Sequence, residues 1–389
     1  MQKNLYKPKG KGRSSRMREA NSFFPMTEFF AGSGLVTEAL KGFFDVRWAN
    51  DICARKASVY KANHGGDHFH LSPIQSVCGR KLPEALLSWA SFPCQDLSLA
   101  GKIVGINSDR SGLVWEWLRV LDESALPPPI LVAENVVGLV SSHEGLNYLR
   151  LHEALTERNY MVGAVLLDAI HWVPQSRPRV FVVAVSRQYT IPKGLTRTGP
   201  GWCHPANIQK VAAQCQDNWV WWNIPKPPIR SKGLSDLIEK DAPVDDAKRR
   251  DYLLGLISPQ HHKALYELIL EGESVFPGYR RTRNGKQVLE IRFDNIAGCL
   301  RTPEGGSSRQ VVVLRDAHGM INTRLLTIKE TSRLMGAPET YQIPGTYNDG
   351  YKAMGDAVVV PVARWLARYL LDPLSRAVAQ KEIPYACAQ

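Results

Sequence analysis

The stretch Met26-Thr27-Glu28-Phe29-Phe30-Ala31-Gly32-Ser33-Gly34-Leu35 begins as an apolar run, breaks at a cluster of small residues and opens onto an amphipathic segment. The run reads as a buried strand over 26–31 and the amphipathic part as a helix over 35–43. Glycines in the turn let the backbone come close to a ligand, and a helix start offers free amides. The turn has G-x-G without the third glycine of a dinucleotide fingerprint, so alone it is equally a plain tight turn.

Working outward, the same alternation recurs. Apolar runs at 46–50, 87–92, 130–133, 162–167 and 180–185 read as buried strands, and 55–63 and 146–158 as helices. Strand alternating with helix predicts a Rossmann-like α/β fold, a mostly parallel sheet with helices on both faces. Ligands then bind beyond the carboxyl ends of the strands. The alternation fades near 186. A Pro-, Gly-, Trp- and Arg-rich stretch over 190–325 reads as a smaller domain of irregular structure, in which Trp219, Trp221 and Trp222 serve better as a hydrophobic anchor than as base-stacking groups. Regular structure returns at Thr327-Ile328-Lys329-Glu330, a capping box opening a helix that Gly336 and Pro338 end. A last helix is expected over 360–371, within a segment over 326–389.

Composition bounds the class. The 389 residues carry 49 Lys and Arg against 37 Asp and Glu, a formal charge of +12, which leans towards a polyanionic partner. No apolar run is long enough for a membrane span, and the start has no secretory apolar core. Seven Cys without C-x-x-C spacing argue against a disulfide framework or a zinc site, so no metal and a reducing, cytoplasmic compartment are expected. Residues 1–25 form a basic arm, with Lys3, Lys7, Lys9, Lys11, Arg13, Arg16 and Arg18 against Glu19. The arm reads equally as a solvated tail or a DNA-contacting one.

Four further elements sit at strand ends. Asp51 ends the second run, where a carboxylate either accepts ribose hydroxyls or caps the next helix. Ser91-Phe92-Pro93-Cys94-Gln95-Asp96-Leu97-Ser98 places a cysteine just past a strand; a lone Cys is commonly a buried structural thiol, but these polar neighbours favour a nucleophile. Glu134-Asn135-Val136 follows four apolar residues, which sets a carboxyl at the sheet edge and pushes its pKa up. Gln175-Ser176-Arg177-Pro178-Arg179 precedes the run at 180–185, and arginines two apart in an extended segment point the same way. In the variable stretch, Arg280-Arg281-Thr282-Arg283-Asn284-Gly285-Lys286 carries an Asn-Gly hairpin signal, and 301–309 is small and polar. Arginines there either read guanine edges and phosphates or belong to solvated loops.

Taken in order, the chain resembles DNA cytosine methyltransferases that act at ring carbon 5. The likeness covers most of 26–189 and 325–371 and rests on FFAGSG (29–34), PCQ (93–95), ENV (134–136), QSRPR (175–179), TIKETSRLMGAPETY (327–341) and GDAV (355–358). It implies a class I S-adenosylmethionine-dependent fold with a target-recognition domain over 190–325 and a catalytic domain over 26–189. It also implies a flipped cytosine attacked at carbon 6 by Cys94. Glu134 holds the ring's N3/N4 edge, Arg179 contacts the base carbonyl, and Arg177 supports the glutamate and the pocket. Cofactor contacts fall on Phe30, Ala31, Gly32, Ser33, Gly34, Leu35, Asp51, Ile52, Pro93, Leu113, Asp356, Ala357 and Val358. Contacts to double-stranded DNA fall on Gln95, Ser98, Arg280, Arg281, Arg283 and Arg309. A separately encoded restriction endonuclease, a monomeric state and a nucleoid-associated location fit the same reading.

Three positions depart from the family pattern: Asp356 stands for Asn, Glu28 for Asp, and no acid for the adenine amino group is evident. Asp67 lies early for that role, and the aligned stretch is Leu71-Ser72-Pro73-Ile74. Two other readings are an RNA cytosine methyltransferase, disfavoured by the long variable region, and a silent DNA-binding regulator. Such a regulator would need none of Cys94, Glu134 and Arg179.

Overall fold

Alternate residues of each central strand enter different apolar layers, and this builds the larger half of the molecule. In the computed structural model, which describes residues 23–93, 112–215, 218–302 and 309–381, seven strands form one sheet. They are β1 (Phe24–Phe29), β2 (Phe44–Asp51), β3 (Phe69–Leu71), β4 (Leu87–Ala90), β5 (Ile130–Val136), β6 (Tyr160–Asp168) and β7 (Pro178–Ser186), in the order β3-β2-β1-β4-β5-β7-β6. Ile130 and Val132 of β5 pack into one layer, Leu131 and Ala133 into the other. Burial on both faces is what near-continuous apolar runs demand.

β1 to β5 pair in parallel, whereas β7 runs antiparallel to both β5 and β6. The inversion matters for the site. It brings the first residues of β7 to the edge where the parallel strands end, with Arg179 opposite Val136 and Phe181 opposite Glu134.

Helices α1 (Leu35–Leu40), α2 (Ala54–His64) and α5 (Leu146–Glu157) fall where the sequence placed them, whereas α3 (Leu113–Glu123), α4 (Gly138–Ser141) and α6 (Ala206–Cys215) were not anticipated. Val114, Trp117 and Leu121 of α3 and Leu151 and Leu155 of α5 fill one layer. Each such side chain contributes about 1.5–3 kcal/mol when fully buried. β3 is too short to stand out in the sequence.

The stretch after 186 has more regular structure than its composition announces. The described residues of 190–246 pack mainly on the larger sheet: Cys203, Trp222, Ile224 and Leu234 enter one of its layers, Ile208 and Val211 the other. Trp222 is fully buried and donates from its indole to the Val183 carbonyl (3.3 Å), so this tryptophan is an anchor. Beyond it, α7 (Ala247–Leu254) and α8 (Pro259–Leu270) cover a second sheet of β8 (Val275–Arg283), β9 (Lys286–Ile291), β10 (Gln310–Arg315) and β11 (Ile321–Leu325), ordered β11-β10-β8-β9. This sheet has its own apolar core, including Leu253, Leu265, Phe276, Leu289, Val311 and Val313. Asn284 and Gly285 both take positive φ in the β8–β9 turn, the backbone that an Asn-Gly hairpin requires.

The chain then returns to the larger sheet through α9 (Ile328–Leu334), α10 (Tyr347–Asp356), α11 (Val360–Leu366) and α12 (Asp372–Lys381), with a π turn between the last two. The capping box of α9 forms as expected: the Glu330 amide donates to Thr327 Oγ1 (3.1 Å), and the Thr327 amide to Glu330 Oε2 (2.7 Å). Arg364 of α11 donates to the Ala39 and Glu38 carbonyls at the end of α1, tying the last helices to the first.

Candidate active site

A cavity of about 480 Å³ opens where β1, β2, β4 and β5 end, within the usual range for a small-molecule site. Glu28, Phe30, Ala31, Gly32, Ser33, Leu35, Asp51, Ile52, Pro93, Leu113, Glu134, Arg177, Arg179, Asp356, Ala357 and Val358 all line it. These come from well-separated stretches of sequence, and the strand ends gather them.

The glycine turn is under backbone constraint. Phe30 has φ +57°, rare for a bulky residue, and Gly32 and Gly34 have φ +56° and +82°. Gly34 does not line the cavity. Its role is close packing, since a Cβ there would sit 2.6 Å from His64 Cδ2. His64 is held close by the Gly34 carbonyl (2.9 Å), and burial drives its pKa down to about 4, so the ring is neutral.

Asp51 lines the cavity and ties down the backbone on either side of it, while the N-cap of α2 is Cys53. Its Oδ1 accepts the Cys53 amide (2.7 Å) just ahead of α2, and its Oδ2 accepts the Gly32 amide (2.9 Å). The carboxylate thus locks the glycine turn to the start of α2 while still facing the cavity. Ile52 beside it is 71% exposed, an apolar side chain at the cavity rim that the described residues leave largely open. Asp67 does not line the cavity; Ser72, Pro73, Ile74 and Gln75, just past β3, do.

Glu134 and Arg179 form the polar centre. Arg179 Nε lies 3.2 Å from Glu134 Oε1, as diagonal neighbours on one face of the β5–β7 pair should. Glu134 is buried, and burial raises its pKa even against the opposing pull of Arg179 and Arg177. The neighbouring Asn135 has a role that sequence reasoning missed. Its Nδ2 donates to the Phe92 carbonyl (2.9 Å), fastening the chain that leads to Pro93. Cys94, Gln95 and Ser98 lie outside the described residues, but the backbone delivering them ends in this cavity wall.

Arg177, expected to support the glutamate and the pocket, lines the cavity and acts on Glu134 through its charge, while its hydrogen bonds go elsewhere. Its guanidinium donates to the carbonyls of Leu300 (2.6 Å), Gly355 (2.8 Å) and Ala357 (2.8 Å), and to Cys299 Sγ (3.3 Å). No hydrogen bond joins it to Glu134 among the described residues. It is a clamp that binds the segment between β9 and β10 to the end of α10. Burial, with repulsion from Arg179, lowers its pKa to about 10.

The GDAV motif is likewise only half a turn: Gly355 and Asp356 belong to α10, and Ala357 and Val358 follow it. Asp356 is ion-paired with Lys56 of α2 and accepts a hydrogen bond from the Thr302 hydroxyl. Lys56 and Thr302 line the cavity too, and neither stood out in the sequence.

The arginines assigned to DNA lie apart from the cavity. On the hairpin, Arg281 (2.9 Å) and Arg283 (2.7 Å) share Glu290, and Arg280 reaches Gln287 (3.3 Å). Arg309 docks on α10 instead, bonded to Asn348 and placed 5.9 Å over the Tyr347 ring.

Among the described residues no cluster of His, Cys, Asp and Glu is placed to hold a metal, and no helix is long and apolar enough to cross a membrane. Comparison with known proteins agrees with the geometry. The model of the C-5 cytosine-specific DNA methylase family matches residues 24–372. The type II methyltransferase M.Bsp6I of Bacillus sp. is 26% identical over 348 residues, covering 88% of this chain and 96% of the relative. M.MspI of Moraxella sp. is 25% identical over 359 residues, covering 90% and 71%. The solved Entamoeba histolytica methyltransferase EhMeth shares the fold, with a TM-score of 0.62 at 16% identity over 91% of this chain and 99% of that one. Matched along almost its whole length, the chain belongs to the C-5 cytosine-specific DNA methylase family.

Proposed function

We propose that this DNA cytosine methyltransferase is sequence-specific, uses S-adenosylmethionine and works through a covalent Cys94 adduct on a flipped cytosine. The observation that carries the reading is the buried Glu134–Arg179 pair on one wall of the cavity that the glycine turn also lines.

The residues present suit the cofactor. Asp51 faces the cavity with a carboxylate able to accept ribose hydroxyls, and exposed Ile52 and constrained Phe30 offer apolar surface for a base. Gly32, Ser33, Asp356, Ala357 and Val358 would hold the amino-acid end. S-adenosylmethionine, when bound, supplies an electrophilic methyl group to carbon 5 of the base.

The chain's own residues do the rest. A cytosine within the duplex stack exposes neither ring face, so it must be flipped into the pocket. The Cys94 thiolate adds to carbon 6, and the displaced electron pair is delocalised towards N3 and carbon 5. Glu134, whose pKa burial raises, donates a proton to N3 and keeps that pair available at carbon 5. Arg179 stabilises the base carbonyl and, through its ion pair, orients the Glu134 carboxyl. After carbon 5 is methylated, loss of its proton restores the double bond and expels Cys94 as thiolate. Arg177 acts as a positioning residue in this scheme.

We assign DNA recognition to the second sheet, with the Arg280–Arg283 hairpin as its basic edge, and read the protein as a monomer that can serve alongside a separate endonuclease. Expression in a host without cytosine methylation, followed by bisulfite sequencing, tests the reading and yields the target. Methylated cytosines in one sequence context are expected. An unmethylated genome from soluble protein, identical to that of Cys94→Ser, would refute it.

A further inference from the structure

Among the described residues, the charged side chains lining the cavity are tied to fixed partners, with one exception. Asp51 accepts a backbone amide on each oxygen, Arg177 is bonded to carbonyls, and Glu134 and Arg179 hold each other. Glu28 is fully buried against the Thr37 hydroxyl. The exception is Lys56 with Asp356. Their pair is partly exposed to the cavity, with side chains 22% and 39% accessible.

The pair is built to exchange partners. Asp356 is fixed from behind, because the Thr302 hydroxyl holds its other oxygen and Gly355 packs against the Arg301–Thr302 backbone, where a Cβ would meet Thr302 N at 3.0 Å. Lys56 ends a flexible four-carbon stem that passes the glycine turn; its Cδ lies 3.9 Å from where a Cβ on Gly32 would sit. A cation and an anion side by side on one wall are complementary to a group that itself carries both charges. An α-amino acid is such a group, and its arrival leaves no charge unpaired.

We infer that Lys56 is a specificity-determining residue that binds the α-carboxylate of the cofactor's amino-acid end, while Asp356, held by Thr302, takes the α-ammonium. The inference rests on the cofactor assignment above. Asp356 in place of the family's asparagine is then matched by Lys56, and the two act as one device.

Calorimetric titration of the full chain with S-adenosylhomocysteine, which has the amino-acid end, and 5′-methylthioadenosine, which lacks it, separates the possibilities. Lys56→Met is expected to weaken S-adenosylhomocysteine by about ten-fold, about 1.4 kcal/mol, and to leave methylthioadenosine within about two-fold. Lys56→Arg, which keeps the charge, should retain the preference for the longer ligand. Equal weakening of both ligands by Lys56→Met, or of neither, would overturn the inference. Wild-type protein that binds neither nucleoside would overturn the cofactor assignment itself, a distinguishable result.

Discussion

Replacing Arg177 with Met should unfold the protein more readily, and replacing Arg179 with Met should not, although the two stand two residues apart. Arg177 is 2% exposed and donates to three carbonyls from two separate segments. Removing it leaves those acceptors without a partner, at about 1–3 kcal/mol each. Relief from burying a guanidinium whose pKa has fallen to about 10 offsets part of this. A net loss of roughly 3 kcal/mol remains. Arg179 instead pairs with Glu134 and donates to the adjacent Pro178 carbonyl, and among the described residues it holds no distant backbone carbonyl. Arg179→Met leaves Glu134 unpaired, but a carboxyl whose pKa burial already raises is neutralised by taking up a proton, so this variant should stay within about 1 kcal/mol of wild type and lose methyl transfer. Urea titration followed by tryptophan fluorescence measures the first effect, and labelled methyl transfer the second. An Arg177→Met protein as stable as wild type, or an Arg179→Met protein as active, would refute this division of roles.

Other outcomes follow from the same geometry. Because the protonated form of Glu134 is the donor and burial raises its pKa, kcat should fall as pH rises through that pKa; Glu134→Gln should be slow at every pH and lack this limb. Glu28 has a folded pKa of about 8 against 4.5. Between these values the folded state holds a proton the unfolded state has released, so stability falls with rising pH and levels above the folded value. Glu28→Gln should therefore stabilise by a few kcal/mol more at pH 8.5 than at pH 4.5, in denaturation at both pH values. Arg281→Ala with Arg283→Ala should weaken DNA binding, and the salt slope should become shallower by about 0.9 for each phosphate that is no longer neutralised. S-adenosylhomocysteine affinity should stay unchanged, because the hairpin is not part of the cavity.

The fold of the larger sheet was legible because its strands are apolar runs buried on both faces. The candidate site was legible because its residues stand where those runs stop: Asp51 ends β2, the glycine turn follows β1, and Glu134 follows the last apolar residue of the β5 run, two residues before the strand ends. What the sequence hid depends on long-range contacts. Arg177 and Arg179 share one motif and one spacing, yet only the three-dimensional course of 299–302 and 355–357 makes one a clamp. Lys56 and Asp356 are 300 residues apart and meet only after α10 has returned to the first sheet. The second sheet was obscured by the Gly, Pro and Trp content around it, although Asn284-Gly285 marked its hairpin. Helix α10 did have a signal: Thr346 and Asp349 form a capping box of the same kind as Thr327 and Glu330.

Attack of Cys94 on the target base is the central step, and trapping tests it most directly. The duplex is one carrying the bisulfite-defined target, with 5-fluorocytosine at the methylated position. Fluorine cannot leave carbon 5 as the proton does, so a working nucleophile stays attached. The expected product is a denaturation-resistant adduct that depends on S-adenosylmethionine, with mass spectrometry placing the link at Cys94. No adduct from wild-type protein, or an adduct that persists in Cys94→Ser, would contradict it.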